Sequence, residues 1–453
     1  MATSTETTTA PESGTERGGN GGVSGRARED ASARAGTQIS YEDLYKRWEQ
    51  GNWSAYAIDF GQDREGWESL SEIQRESALW IYSMFFYGED AVTDGLSPYI
   101  DAAPKEEQKY FLATQQVDEA RHSVFFHRFF KEVIGAGDSL SDGLAFTEKY
   151  LGWGYRGVFD RLERMGDELR ADRSLPKFAQ AITLYHLIIE ASMAQPGQHY
   201  IEDFFTKAGT MPGFSEGMHN VARDEQRHIG FGVKVLSELI AESDECRAAV
   251  DEILREMLPY LTATFIPPGW DERYTTEYGF TLEEIFAFGM RSVEMKWKAI
   301  GYPLDQMPAG IYPFDPESPH SERAANQIKL LKAGVLGEPG VEIKNDPEVQ
   351  RIYFEIVARS ANTELVDRPL TVQWKFSDAE PWHVSVDNGS TRAEPGLAEK
   401  ADVTLNTSWA DWINISMHGA DFGKAVLRRR MRPRGSVRQL LRLQKIWQPR
   451  ELV

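Results

Sequence analysis

The chain has 453 residues, a mass of 51.3 kDa, 41% hydrophobic residues and 70 acidic against 50 basic side chains, a formal net charge of −20. This length accommodates two or three domains with sizeable cores, and so acidic a surface argues against nucleic acid as a partner of the whole protein. The single cysteine, Cys246, excludes a disulfide framework and cysteine-based zinc or iron–sulfur sites. No apolar run reaches the length of a membrane-spanning helix, and the N-terminus lacks the plan of a secretory signal, which predicts a cytoplasmic protein.

The first 38 residues consist mainly of Thr, Ser, Gly, Glu and Arg, with no aromatic side chain. Such a segment cannot bury enough apolar area to offset the entropy lost on ordering, which predicts a disordered tail over residues 1–38. From Tyr41 the composition changes abruptly, and aromatic residues recur between Tyr45 and Phe60. This change marks the start of a folded domain, predicted over residues 39–333.

Helical periodicity dominates this domain, because apolar residues recur there at steps of three and four. A further helical stretch, about 243–298, is broken at the turn that Pro267 opens. In the third long segment, Pro176 suits a first helical turn, whereas Pro196 and Gly197 are expected to bend or interrupt the helix. The four long segments are ESALWIYSMFFYGEDAVTDGL, EEQKYFLATQQVDEARHSVFFHRFFKEV, LPKFAQAITLYHLIIEASMAQPGQHYIEDFF and GFSEGMHNVARDEQRHIGFGVKVLSELI.

A linker over residues 334–345 leads to sequence of a different kind. The segment LTVQWKFSDAEPWHVSVDNGSTRAEPGLAEKADVTLNTS shows short alternating apolar runs separated by turn signals, with helical patterns on both sides. We therefore predict a small α+β domain over residues 346–453. Its last part, from Asp421 onward, carries ten Lys or Arg against two Asp or Glu, so that this end is +8 and the rest of the chain −28.

The strongest chemical signal is an internal duplication. The sequences DEARH at 118–122 and DEQRH at 224–228 share the pattern D-E-x-R-H on two predicted helices. Glu119 and His122, like Glu225 and His228, stand at i and i+3, and such a pair projects from one helical face. Each pair therefore offers a carboxylate and an imidazole to one metal ion.

A carboxylate-bridged dinuclear site in a four-helix bundle needs one further carboxylate from each of the other two helices. Glu89 and Glu190 fit this requirement, since each lies in an apolar run about 30 to 35 residues before one of the pairs. A carboxylate inside such a run is costly to bury unless it is paired or metal-bound.

Carboxylates with imidazoles suit iron or manganese, which change oxidation state, whereas zinc favours tetrahedral nitrogen and sulfur sites and does no redox work. Asp118 and Asp224 precede the ligands and are candidates to accept hydrogen bonds from the ligand imidazoles.

A single Glu-x-x-His on a helix usually belongs to a solvent-exposed face that binds no metal. Two copies, each preceded by a Glu in an apolar run, rarely arise by chance, which favours a metal site. The remaining histidines of this region, His127, His199 and His219, are interpreted as surface or core residues. His186 lies one turn before Glu190 and could line the cavity, but we do not predict it as a ligand.

On these motifs, residues from about Tyr45 to Tyr302 resemble the ribonucleotide-reductase small-subunit superfamily of ferritin-like proteins. The lead-in LYKRWEQGNWSAYAIDFGQDREGW resembles that of its ligand-binding oxidase branch. The resemblance implies a mainly α, ferritin-like four-helix bundle and a homodimer. It also implies Glu89, Glu119 and His122 as ligands of one metal, Glu190, Glu225 and His228 as ligands of the other, and Glu119 and Glu225 as bridges.

Two departures from the reductases narrow the function. Phe126 stands where reductase small subunits usually carry the radical tyrosine, although a minor subclass with Phe there stores its oxidising equivalent on a Mn/Fe pair. The reductase tail that docks the large subunit is replaced by another domain. By contrast, Val92 and Tyr185 match the residues that the oxidase branch joins by an oxidative ether cross-link. The alternative is that Val92 is a core residue and Tyr185 a buried tyrosine bonded to a carboxylate.

Residues from about Asp346 to Trp447 resemble the sterol-carrier-protein type-two fold, in the order of VQWKFSDAEPWHVSVDNG, ADVTLNTSWADWINISMHG and RRRMRPRGSVRQLLRL. The resemblance implies a five-stranded sheet with helices around an apolar tunnel for lipids. An accessory or dimerising domain without a ligand is the alternative. The basic end could attract an acidic headgroup or an acidic carrier protein, or pack on the acidic part of the same chain.

Together these observations predict an oxidase or oxygenase of the monooxygenase type that activates O₂ at an Fe/Fe or Mn/Fe site. The expected substrate is hydrophobic or carrier-bound, and turnover requires an external electron donor. Two alternatives remain: a reductase small subunit that needs a large partner, and a ferritin-like iron-handling protein with a lipid-binding domain. Candidate cavity residues are Phe85, Phe86, Phe125, Phe126, Tyr185 and Phe231.

Overall fold

The computed structural model describes residues 39–447, apart from 303, 305, 306, 308–311 and 388, and apart from the side chains of 205–208 and 444. The tail predicted over residues 1–38 lies outside the described residues.

Helices build the first part of the chain, and their starts follow local sequence signals. Ser71 and Gln74 form a reciprocal capping box at the start of the helix Glu72–Gly95, and Ser174 caps the helix Leu175–Ile182, with Pro176 in its first turn. The helices are α1 (Tyr41–Gly51), α2 (Asp63–Ser69), α3 (Glu72–Gly95), α4 (Ser97–Ala102), α5 (Glu106–Phe129), α6 (Leu140–Thr147), α7 (Trp153–Ala171), α8 (Leu175–Ile182), α9 (Gln195–Ala208), α10 (Pro212–Glu242), α11 (Asp244–Ala263), α12 (Arg273–Thr276), α13 (Leu282–Ala299) and α14 (His320–Lys332).

The third long helix departs from regular α geometry earlier than its sequence predicts. α8 ends at Ile182, and residues Thr183–Ala194 follow as a π-helix before α9 begins at Gln195. Pro196 lies in the first turn of α9, where its missing N–H is tolerated. The change of winding in this helix therefore spans the segment that carries Tyr185 and Glu190, and π-helical turns are frequent at functional sites.

The second part of the chain is a five-stranded sheet with helices packed against it. The strand order is β3-β2-β1-β4-β5, with β1 parallel to β4 and the other neighbours antiparallel. The hairpin between β2 and β3 turns at Gly389, whose φ of 80° suits glycine. The elements are α15 (Pro347–Arg359), β1 (Leu370–Phe376), β2 (Trp382–Asp387), β3 (Ser390–Pro395), β4 (Val403–Thr407), α16 (Trp409–Ser416), α17 (Phe422–Leu427), β5 (Arg432–Arg434) and α18 (Val437–Trp447).

The predicted fold class, a ferritin-like helical domain followed by a small α+β domain, is confirmed. The segment that links the helical part to the α+β part makes hydrogen bonds with the α+β part. The indole of Trp409 donates to the carbonyl of Lys344 at 3.1 Å, and the imidazole of His418 donates to the carbonyl of Gly334 at 3.0 Å. Within the described part of the chain, no helix is both long and apolar enough to cross a membrane.

Candidate metal centre

Four helical segments bring the six predicted ligand side chains together in the interior of the bundle. Glu89 comes from α3, the first Glu–His pair from α5, Glu190 from the π-helical segment and the second pair from α10. None of the six is more than 6% exposed, so they meet away from solvent; they are Glu89, Glu119, His122, Glu190, Glu225 and His228.

Glu119 and Glu225 each turn one carboxylate oxygen toward each histidine. Oε2 of Glu119 lies 3.2 Å from Nδ1 of His122, and Oε1 lies 3.2 Å from Nδ1 of His228. Oε1 and Oε2 of Glu225 lie 3.7 and 3.8 Å from the same two nitrogens. Both carboxylates therefore stand between the two imidazoles, as bridging groups do.

The other two carboxylates each approach one histidine. Oε2 of Glu89 lies 3.2 Å from Nδ1 of His122, and Oε1 of Glu190 lies 3.5 Å from Nδ1 of His228. Two sets of ligand atoms result, each with all its atoms within 4.8 Å of one another; they are Glu89, Glu119, His122 and Glu225, and Glu119, Glu190 and His228.

Buried atoms without hydrogen bonds show that the cluster fits metal ions. Oε2 of Glu119, Glu190 and Glu225 and Nδ1 of His228 make no hydrogen bond with any group that the structure describes, although all four are inaccessible to solvent. Burying such atoms unsatisfied is costly, and four carboxylates with two imidazoles form a donor set for iron or manganese. The residues present can therefore hold two metal ions.

Burial and mutual contact shift the pKa values of the cluster in opposite directions. Burial raises the pKa of Glu89 to about 8, against the opposing effect of His122. Burial and the charge of Glu225 raise the pKa of Glu190 well above its usual range. For Glu119, the imidazoles of His228 and His122 outweigh burial and hold the pKa well below that range. Protons and metal ions therefore compete for the same carboxylates.

Each aspartate of the repeated motif contacts the histidine of the other copy of the motif. Nε2 of His228 lies 3.2 Å from Oδ2 of Asp118, and Nε2 of His122 lies 3.3 Å from Oδ2 of Asp224. Each aspartate thus accepts from the histidine of the other motif, which leaves both Nδ1 atoms directed at the carboxylates. Arg227 and Arg121 each pair with both aspartates and balance their buried charge.

Three further side chains, which no sequence pattern predicted, donate hydrogen bonds to these aspartates and to Glu190. The indole N–H of Trp48 donates to Oδ1 of Asp118 at 2.9 Å, and that of Trp53 donates to Oδ2 of Asp224 at 2.7 Å. Gln115 donates to Oε1 of Glu190 at 2.7 Å. The signals were weak: two tryptophans five residues apart in the lead-in, and an amide one helical turn before Glu119.

An apolar cavity opens directly on the carboxylate cluster, and we call it the metal-side cavity; its empty space, including the part open to solvent, is about 540 Å³. Val92 and Tyr185 both line it, and the hydroxyl of Tyr185 donates to Oε1 of Glu119 at 2.9 Å. Phe85 is also in its wall, whereas Phe126 is fully buried one layer behind, with its ring stacked on Phe85 at 5.9 Å. Its other walls include Met84, Tyr155, Phe159, Ile189, Met193 and Phe265.

The remaining predicted cavity residues fill the core instead. Phe86, Phe125 and Phe231 are fully buried and pack against other rings, for example Phe231 against Phe111 at 4.3 Å. His186 does not join the ligand set, since its Nε2 bonds to Oε1 of Gln115 at 3.1 Å.

Comparison with known proteins agrees with both resemblances. Residues 38–261 match the model of the ribonucleotide reductase small chain, and residues 363–448 match that of the SCP-2 sterol transfer family. The helical domain is similar to R2-like ligand-binding oxidase from Sulfolobus acidocaldarius, with 25% identity and a TM-score of 0.50 over 59% of this chain and 93% of that one.

A variant of R2-like ligand-binding oxidase with an anaerobically reconstituted Mn/Fe cofactor is similar to the same extent. It shares 25% identity and a TM-score of 0.50, over 58% of this chain and 93% of the other. The suspected fusion is thereby confirmed. The chain combines a domain that matches the ribonucleotide reductase small chain and is similar to R2-like ligand-binding oxidases with a domain that matches the SCP-2 sterol transfer family.

Proposed function

We propose that this protein is a dinuclear metal oxidase that uses O₂ to oxidise a hydrophobic organic substrate. The observation that carries the proposal is the direct contact between the buried Glu–His cluster and the apolar metal-side cavity. Glu89, Glu119, His122, Glu190, Glu225 and His228 would hold either two irons or one manganese and one iron. When bound, this metal pair supplies the electrons that reduce O₂ and the oxidising power that acts on the substrate.

The protein's own side chains would orient the substrate and exclude water. Apart from the four glutamates of the cluster and Thr264, the walls of the metal-side cavity are apolar or aromatic, which favours a hydrophobic substrate over a charged one and disfavours water. The hydroxyl of Tyr185 donates a hydrogen bond to Glu119 and so holds that carboxylate in place beside the cavity. The SCP-2 domain would hold a lipid-type ligand for the same reaction.

We further propose that Val92 and Tyr185 become joined by an ether bond when the loaded protein first meets O₂. Both side chains are buried and line the same cavity beside Glu119. One C–O bond would form between Cβ of Val92 and the phenol oxygen of Tyr185. The C–H and O–H hydrogens leave as two protons, and two electrons pass to O₂.

The position of Phe126 favours an oxidase over a reductase subunit. A phenylalanine fully buried behind Phe85 offers no phenol hydroxyl for a stable tyrosyl radical at this place. The SCP-2 domain also stands where a reductase subunit would carry its docking tail. Stimulation of ribonucleotide reduction on mixing with a large subunit would favour the reductase alternative.

Metal analysis of the full chain, loaded anaerobically with iron and manganese together and then exposed to air, tests the proposal. We expect two metals per chain, and their ratio identifies the pair. Glu119→Gln and His228→Ala should lose metal and O₂ consumption. Matched controls on the same helices, Glu107→Gln and His219→Ala, change exposed side chains and should retain both.

Zero or one metal per chain would contradict the dinuclear site, and many irons per chain would indicate iron storage instead. Full O₂ consumption in Glu119→Gln would contradict the assignment of the reaction to this cluster. Circular dichroism of each variant shows whether the bundle has kept its helix content.

A further inference from the structure

Three apolar cavities lie side by side in the helical domain, and Phe265 lines all three. One is the metal-side cavity. Another, of about 690 Å³, has walls that include Leu258, Met290, Trp297 and Phe314, and we call it the outer cavity. The third, of about 570 Å³, adjoins both at the same phenyl ring. A single side chain thus stands at the junction of all three.

The metal-side and outer cavities share part of their walls. Neighbouring residues of the π-helical segment face different cavities, Ser192 the outer one and Met193 the metal-side one. On the opposite side, Phe265 contributes to both walls. Phe265 and the Ser192–Met193 pair therefore lie between the two cavities.

The backbone places Phe265 on a turn rather than inside a helix. α11 ends at Ala263, the hydroxyl of Thr264 donates to the carbonyl of Tyr260 at 3.1 Å, and Pro267 follows two residues after Phe265. This turn lies beyond residues 38–261, the part that matches the small-chain family. The turn after α11 therefore places Phe265 at the three cavities.

The outer cavity lies toward the C-terminal domain. Tyr312 and Phe314 form part of its wall, and the next residue, Asp315, lies 3.9 Å from the guanidinium of Arg359 in α15. An apolar chain that extends past Phe265 would thus run from the metal cluster toward the SCP-2 domain.

We propose that Phe265 is a specificity-determining residue that limits the length of the apolar chain accepted at the metal centre. The ring closes the metal-side cavity, and its removal joins that cavity to the outer one. The ligand class is a straight alkyl chain, and the inference rests on the proposed function, because it assumes that substrate occupies the metal-side cavity.

The test is binding of straight-chain primary alcohols, from octanol to hexadecanol, to the iron-loaded full-length protein by calorimetry. For wild type, affinity should rise about fourfold with each methylene that becomes buried and then level off when the metal-side cavity is full. We call the chain length at which affinity levels off the break. Phe265→Ala should move the break to longer chains, so that the longest alcohols bind at least about tenfold more tightly than to wild type.

Two further variants make the result specific. Phe265→Ala/Gly289→Leu fills the outer cavity and should restore the wild-type break; a Cβ at Gly289 meets only Pro196, at an ordinary 3.9 Å. Phe286→Ala removes a ring that lines the outer cavity alone, and should leave the break unchanged. Because all variants keep the same C-terminal domain, chain binding there is a constant background.

An unchanged break in Phe265→Ala, or a gain that persists in the double variant, would overturn the inference and leave the proposed function standing. The absorption spectrum of the iron-loaded site separates the two ideas. If no alcohol perturbs that spectrum in any variant, substrate does not occupy the metal-side cavity, and both the proposed substrate class and the inference fall.

Discussion

Oδ2 of Asp118 lies 3.2 Å from Nε2 of His228, a residue 110 positions further along the chain, rather than contacting the histidine of its own motif. Asp224 stands in the corresponding relation to His122 at 3.3 Å. Each of the two helices therefore supplies the aspartate that orients the histidine of the other helix. Each imidazole is held with Nε2 toward an aspartate and Nδ1 toward the carboxylate cluster, so the geometry of both metal positions depends on both repeats.

Asp224→Asn should weaken metal binding without removing a predicted ligand. The amide keeps the shape of the side chain but loses the negative charge that orients the His122 imidazole and raises its basicity. We expect metal affinity to fall by about 10- to 100-fold, as for other groups that support a ligand histidine. Competition with a chromogenic chelator measures this. Asp167→Asn, a largely exposed aspartate, is the control, and equal affinity in the two variants would contradict the expectation.

Arg227→Met should destabilise the metal-free protein strongly. The guanidinium of Arg227 pairs with Asp118 and Asp224, and its side chain is only 6% exposed, so its removal leaves two buried carboxylates with Arg121 as their remaining cation. Breaking a buried pair from one side costs about 3–5 kcal/mol. Urea unfolding measures the loss. Arg164→Met, at a half-exposed pair with Glu256, should cost no more than about 1 kcal/mol; similar losses in both would refute this role for Arg227.

Glu89→Gln should stabilise the metal-free protein increasingly as the pH rises. The folded chain raises the pKa of Glu89 from 4.5 to about 8 because burial disfavours its charged form. Its contribution to stability is therefore complete below the unfolded value and is lost as the pH rises through about 8. Gln cannot lose that proton, so its advantage grows in this window by at most about 1.4 kcal/mol per pH unit.

Urea unfolding of the chelator-treated wild type and variant across this pH range measures the difference. Glu107→Gln, at an exposed glutamate, should show none of this pH dependence. The same Glu89→Gln variant should bind fewer metal ions, since it lacks one proposed ligand. A pH-independent difference from wild type would contradict the assigned cause.

Aeration of the metal-loaded protein should lower its mass by two hydrogen atoms if Val92 and Tyr185 become joined. Peptide mapping should then find one branched peptide that contains both residues. Tyr185→Phe removes the phenol oxygen, and should keep the full mass while retaining the metal ligands. An unchanged wild-type mass after O₂ exposure of a fully loaded site would show that the tyrosine serves only as the donor to Glu119.

The sequence alone determined the fold class and the composition of the candidate metal centre. The i, i+3 spacing of Glu119 with His122, and of Glu225 with His228, places each pair on one helical face whatever surrounds the helix. Alternating apolar runs likewise predicted strands in the C-terminal domain, and its resemblance to the sterol-carrier-protein type-two fold implied its domain type. Helix faces and strand alternation are local features, so they can be derived from residue spacing.

Only the tertiary structure decided how the helix faces meet. The exchange of Asp118 and Asp224 between the two motifs and the indole donors Trp48 and Trp53 depend on residues about 70 to 170 positions apart, which no local periodicity specifies. The place of Phe265 at the junction of three cavities has the same origin. Local spacing selects the side chains of the site, whereas long-range packing sets their partners and the shape of the space beside them.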